Sequence, residues 1–185
     1  MKIAFCEADS EQTVDALQNA SSEIGILLTC QPAHDILDYE IIGVSELVYC
    51  KDPNEPSYSA EQGHEKIISP ENSPTDCKLM LVSAGTTLRK EQDRLISALF
   101  RERPRITAEA DISILRKLVE LGAGDTILPL SMLSEETGTE IFHFHPAENF
   151  YLVLAANPSR KLSSPAIELM NYIRKMSSAS TGGGK

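Results

Sequence analysis

Apolar positions along this chain fall into two patterns, short continuous runs and stripes at helical spacing, and the two alternate. Lys2–Glu7 and Ile24–Thr29 are runs of strand length. The second is continuous enough to predict a strand of a parallel sheet covered on both faces. Between them Ser10 stands where an N-cap should, before Glu11 and Thr13. Val14 and Leu17 follow at helical spacing, which predicts a helix over Glu11–Asn19. Tyr39–Ile42 and Ser45–Lys51 read as two strands, or as one strand kinked at Gly43-Val44. From Asp52 to Asp76 there are four prolines and many polar residues, with only Lys66-Ile67-Ile68 as an apolar core, so this is a loop or crossover.

The alternation then resumes. Lys78–Val82 predicts a strand, Ser83-Ala84-Gly85-Thr86-Thr87 a turn, and Leu88–Arg101 a helix anchored by Leu88, Leu95, Ala98 and Leu99. Arg105–Glu109 predicts a strand. Asp111 is placed to cap a helix carrying Ile112, Leu115, Leu118, Val119 and Leu121, which Gly122 stops. Strands are expected at Thr126–Leu130, Glu140–His145 and Tyr151–Ala156, with a polar turn at Ser134–Gly138. A last helix is expected over Ser164–Met176, and residues 177–185 read as a disordered tail. Two α/β blocks, one over about residues 2–52 and one over about 78–131, with closing elements that return to the first, imply two lobes with a ligand cleft between them.

Composition narrows the function. The chain has 185 residues, 42% of them hydrophobic, enough for a real core. Its net charge of −10 repels phosphate backbones and argues against a nucleic-acid surface. No run approaches the roughly 18 apolar residues of a membrane helix, and the N-terminus lacks the apolar stretch and cleavage site of a secretory signal. A cytoplasmic protein is expected. Cys6, Cys30, Cys50 and Cys77 have no CxxC spacing and read as buried or idle thiols. No Gly-x-Ser-x-Gly elbow or patterned triad occurs, so an enzyme is not expected.

The most specific stretch is Leu118-Val119-Glu120-Leu121-Gly122-Ala123-Gly124-Asp125-Thr126-Ile127-Leu128-Pro129. It resembles the effector-binding domain of LysR-type transcription regulators, in which a helix ends in Val-x-x-Gly-x-Gly before a strand closed by Leu-Pro. Three further pieces resemble that family in the same order: Ala8–Leu28 with Glu23-Ile24-Gly25-Ile26; Gly85-Thr86-Thr87-Leu88-Arg89 followed by Ala98-Leu99-Phe100; and Tyr151–Leu154 through Arg160–Ala166. The resemblance implies an α/β, two-lobed type 2 periplasmic-binding-protein-like fold, with lobe I over 1–54 plus 138–176 and lobe II over 70–133. It also implies a small-molecule effector bound between the lobes, a homodimer or tetramer, and contact with DNA only through a winged helix-turn-helix that this chain lacks. Matching Lys2–Glu7 to the family's second sensor strand leaves the first strand and first helix of lobe I without a counterpart. The rival readings are a solute-binding protein, an enzyme on the same scaffold, and a ligand-free orphan dimerisation partner.

The candidate ligand-binding residues are Ser10, Ser83, Thr86, Thr87 and Asp111. Ser10, Thr86 and Thr87 are hydroxyls at predicted helix starts, where backbone N–H groups and the helix dipole favour an anion. Each is equally an ordinary cap, as Asp111 is. Arg89 reads as a surface helix residue or an anion partner, and Asp125 as a solvated turn residue. His143 and His145, two apart on a strand, have a zinc-capable spacing but no specified third ligand. No cofactor and no metal are expected.

Overall fold

The computed structural model describes residues 4–6, 8–52, 66–71, 73–74, 77–133 and 139–181. Two compact units divide the chain, one of residues 1–44 and 150–185, the other of residues 45–149. The changeovers fall inside one strand and at the head of another, where the sequence reading put the lobe changes at 54 and 138. Among the described residues, no helix is long and apolar enough to cross a membrane.

In the first unit, α1 (Ser10–Gln18) is followed by β1 (Ile24–Thr29). β1 pairs antiparallel with β8 (Asn149–Ala156), Ile26 opposite Leu154 and Leu27 opposite Val153, and the first half of β2 (Asp38–Lys51) lies on the far side of β8. The expected parallel strand is therefore antiparallel. The direction is set by the neighbour, β8, which returns beside it; Leu27 is buried while Ile26 is half exposed, so the continuous apolar run is also not equally covered on its two faces. α1 packs Leu17 and Val14 against Leu27, Val153 and Ala155 on one face. On the other face α4 (Ser164–Thr181) brings Met170 and Ile173 onto Leu154, Ala156 and Ile24. α4 runs on through residues 177–181, beyond the end at Met176 that the apolar stripe predicts. Gly43-Val44 does not interrupt β2, a single strand of 14 residues. The strand expected at Lys2–Glu7 is not found where it is described. Ala4, Phe5 and Cys6 are exposed, Phe5 at 84%, and lie in no strand; an apolar run becomes a strand only where another strand takes its backbone groups. The rest of that segment, like the turn at 134–138, lies outside the described residues.

The second unit contains the second half of β2, with β6 (Thr126–Pro129) antiparallel on it in the register Tyr49–Ile127, and β7 (Glu140–Phe144) antiparallel to it at Tyr49–Phe142. The short β3 (Ile67–Ile68) adds to β7 in parallel. β4 (Lys78–Val82) and β5 (Arg105–Ala110) form a parallel pair, and the chain at Asp125 bridges in parallel to Leu79 on β4. The connections through α2 (Thr87–Leu99) and α3 (Ile112–Glu120) make this the α/β block that the apolar alternation predicts. β4 is buried over four of its five residues, and α2 lays Leu88, Gln92, Leu95, Ile96 and Leu99 inward. That spacing is one helix face.

Gly122 closes α3 in a Schellman arrangement. Its N–H donates to Val119 O at 2.9 Å, the Ala123 N–H donates to Leu118 O at 3.0 Å, and Gly122 has φ +66°. A side chain there sits in the left-handed region, so Gly122→Ala should lower stability by about 1 kcal/mol. Urea denaturation checks this; an unchanged midpoint would mean that the turn relaxes without strain.

Candidate functional site

Ser83, Thr86, Thr87 and Asp111 come together on one unit, at the C-terminal ends of the paired strands β4 and β5 and at the starts of α2 and α3. The clustering follows from the topology, because parallel neighbours deliver their following turns to the same edge. The Ser83 N–H donates to Ala110 O at 2.9 Å, which ties the two turns together. Gly85, at φ +90° with open space where a Cβ would stand, bends the first turn back to the helix.

Thr86 is the N-cap of α2. Its Oγ1 accepts from the Arg89 N–H at 3.1 Å and donates to Ser83 O at 3.3 Å, so its donor is spent on structure. The hydroxyls of Ser83 and Thr87 make no hydrogen bond among the described residues. Asp111 occupies the N-cap position of α3 without a side-chain cap; its backbone carbonyl accepts from Ile114 and Leu115 instead. The expected capping by its carboxylate is not made, which leaves that charge in solvent. Arg89 is no surface residue. Its side chain is 16% exposed, with Nη1 donating to Val82 O at 3.1 Å and pairing with Glu109 at 2.9 Å, and with Nε donating to Asp93. The guanidinium is committed to the frame of the turn.

Ser10 belongs to the other unit and is not the N-cap. Asp9 holds that position, its Oδ1 accepting from the Gln12 N–H at 2.8 Å. The helix therefore begins one residue early, and the Ser10 Oγ donates to Leu28 O at 2.9 Å, fastening α1 to β1. Acceptor lone pairs are what this hydroxyl retains.

Two residues that the sequence reading missed shape the base of the turn. Gln92 is fully buried on α2; its Oε1 accepts from the Val82 N–H at 2.9 Å and its Nε2 donates to Ile127 O at 2.8 Å. A polar residue in the 88–92–95–99 stripe was the available signal. Asp125, expected in solvent, is 2% exposed. It accepts from the Tyr49 hydroxyl and, at 2.8 Å, from the Asp52 N–H. Its main-chain bridge to β4 draws it inward: the Met80 N–H donates to Asp125 O at 2.8 Å and the Thr126 Oγ1 to Met80 O at 2.7 Å. Burial holds the Asp125 carboxyl above its ordinary value, opposed by the hydrogen bonds from the Tyr49 hydroxyl and the Asp52 N–H. Burial also pushes the Cys50 thiol up to about 12, so it stays an unreactive thiol at neutral pH.

His143 and His145 are both exposed. His143 meets Glu46 at 3.0 Å, and among the described residues no cluster of three metal-binding side chains is found.

The fold is that of the regulatory, effector-binding domains of LysR-type regulators. Among solved structures, the chain is similar to the regulatory domain of HypT from Salmonella typhimurium in its bromide-bound form (16% identity, TM-score 0.71, covering 93% of this chain and 80% of that one). It is similar to the effector binding domain of QuiR in complex with shikimate (16%, 0.69, 95% and 81%). It also resembles the regulatory domain of CcmR from Synechocystis PCC6803 in complex with 2-PG (16%, 0.68, 91% and 80%). No protein-family model and no curated protein matches the sequence. The expected fold class is therefore found, and at this identity the likeness is one of fold.

Proposed function

We propose that this chain is the ligand-sensing part of a LysR-type transcription regulator, binding a small effector and carrying out no catalysis. The observation that supports this is the fold shared with effector-binding and regulatory domains, three of which hold a bromide ion, shikimate or 2-PG. We assign effector contacts on the second unit to Ser83 and Thr87, with Thr86 holding the turn as its cap and an anion as the ligand class. The free hydroxyls of Ser83 and Thr87 and the first N–H groups of α2 supply donors there. Asp111 would take a hydroxyl or other donor of the same effector. Ser10 lies on the first unit, where its proton is given to Leu28 O, and it is proposed only as a ligand contact of that unit, accepting from a donor. The protein acts in the cytoplasm as a homodimer or tetramer, and effector binding biases DNA contact through a winged helix-turn-helix.

The test is a titration of the intact chain with shikimate, 2-PG and bromide, followed by amide chemical shifts and thermal unfolding. At least one anion should bind saturably and shift amides at Ser83–Thr87, and Thr87→Val should weaken it about fivefold, the worth of one hydrogen bond. Binding indifferent to both Thr87→Val and Ser83→Ala would remove this turn from the effector site.

A further inference from the structure

We propose a second ligand site on the first unit, separate from the Ser83–Thr87 turn and independent of the reading above, built for a carboxylate that carries a short apolar body. Two hollows of about 300 Å³ each open on this unit and share a wall of Asn157, Arg160 and Leu162. Lys161 lines the first hollow beside Arg160. In a chain of net charge −10, these adjacent cations make no ion pair among the described residues. The acid in that hollow, Glu23, is already engaged: its two oxygens accept from the Ser163 N–H at 2.6 Å and the Ser163 Oγ at 2.8 Å. Those hydrogen bonds hold its carboxyl below its ordinary value, so it offers no proton to a ligand. Glu23 keeps its negative charge, and Arg160 and Lys161 outnumber it by one in that hollow, which favours a single anionic group.

The second hollow supplies the apolar half. Tyr39, Pro158 and Leu162 line it with accessible apolar surface over a floor of buried Leu154, Ala156 and Met170, and of its two acids Glu40 is matched by Arg174 at 2.7 Å. Asp38, its other acid, disfavours a second negative group and so limits the ligand to a monoanion. Because Arg160 and Leu162 belong to both hollows, a head group on Arg160 places its body over Leu162 towards Met170. None of Ser10, Ser83, Thr86, Thr87 and Asp111 lines either hollow.

The probe is phenylacetate, with phenylacetamide as the uncharged body and inorganic phosphate as the bodiless anion. Titrating the intact chain should give saturable binding of phenylacetate with amide shifts centred on residues 157–163. Arg160→Ala, at an exposed position, should weaken it about tenfold. Phenylacetamide and phosphate should each bind at least as weakly as phenylacetate binds that variant. Absence of saturation, or equal affinity in wild type and Arg160→Ala, overturns the site. Loss through Thr87→Val with Arg160→Ala silent also overturns it, by placing the anion on the Ser83–Thr87 turn, and leaves the effector reading standing.

Discussion

Asp125→Ala is expected to destabilise the protein by about 3–5 kcal/mol, the range for stranding buried partners of a removed charge-bearing group. Tyr49 and Asp52 both donate to this carboxylate, and Tyr49 is itself fully buried between the rings of Phe100 and Phe142. Water has no route to replace the lost acceptor without opening that core. Asp125→Asn keeps an acceptor for Asp52 and a polar atom facing Tyr49, so it should cost far less. A pH series separates charge from hydrogen bonding. Burial raises the folded Asp125 carboxyl above its ordinary value of 3.8, so the folded state binds the proton more tightly than the unfolded chain. This group's contribution is greatest below the unfolded value and is lost as pH rises through the folded one. Urea midpoints of wild type should therefore fall relative to Asp125→Asn across that window. Parallel pH profiles would show that the carboxylate is fully compensated by its donors.

Gly25→Val should cost about 3 kcal/mol, at the upper end of overpacking effects, although valine is the better strand former. A Cβ on Gly25 would stand 2.6 Å from the Thr13 Cγ2 and 3.2 Å from the Leu17 Cδ1. Neither neighbour yields easily. The Thr13 hydroxyl donates to Asp9 O at 2.8 Å, which fixes its rotamer, and Leu17 is fully buried. α1 would have to lift from β1, breaking the Ser10–Leu28 contact on the way. Thr13→Ala in the same chain should restore part of the loss, and calorimetry of the single and double variants measures it. Full additivity of the two changes would place the strain elsewhere.

These two positions also mark what could be read from the sequence. Gly25 sits within Glu23-Ile24-Gly25-Ile26, one of the pieces that resemble the LysR-type effector domain, and α1's close approach is what calls for a glycine there. The stripes of α2, α3 and α4 fixed those helices because one apolar face has one periodicity. β4, β5 and β6 were legible because short apolar runs bounded by turns leave little else to do. Strand direction was not. β1 reads the same whether its neighbour runs parallel or antiparallel, and only the return of β8 decides it. Capping also misled: Asp9 and Ser10 are both good caps, and the choice went to Asp9 because Ser10 had Leu28 to reach. At the candidate site, the clustering of Ser83, Thr86, Thr87 and Asp111 follows from parallel strand order. The burial of Asp125 depends on partners 73 and 76 residues away, which no local pattern encodes.

The Gln92 side chain grips the Val82 amide on one side and the Ile127 carbonyl on the other, at the point where β4 ends and the Ser83–Thr87 turn begins. A turn clamped at its root surrenders little conformational freedom when something lands on it. The entropy of ordering has been spent in folding, before any ligand arrives. Hydrogen exchange would register this as an amide at Val82 that opens only with the whole unit, next to a turn that a ligand meets already shaped.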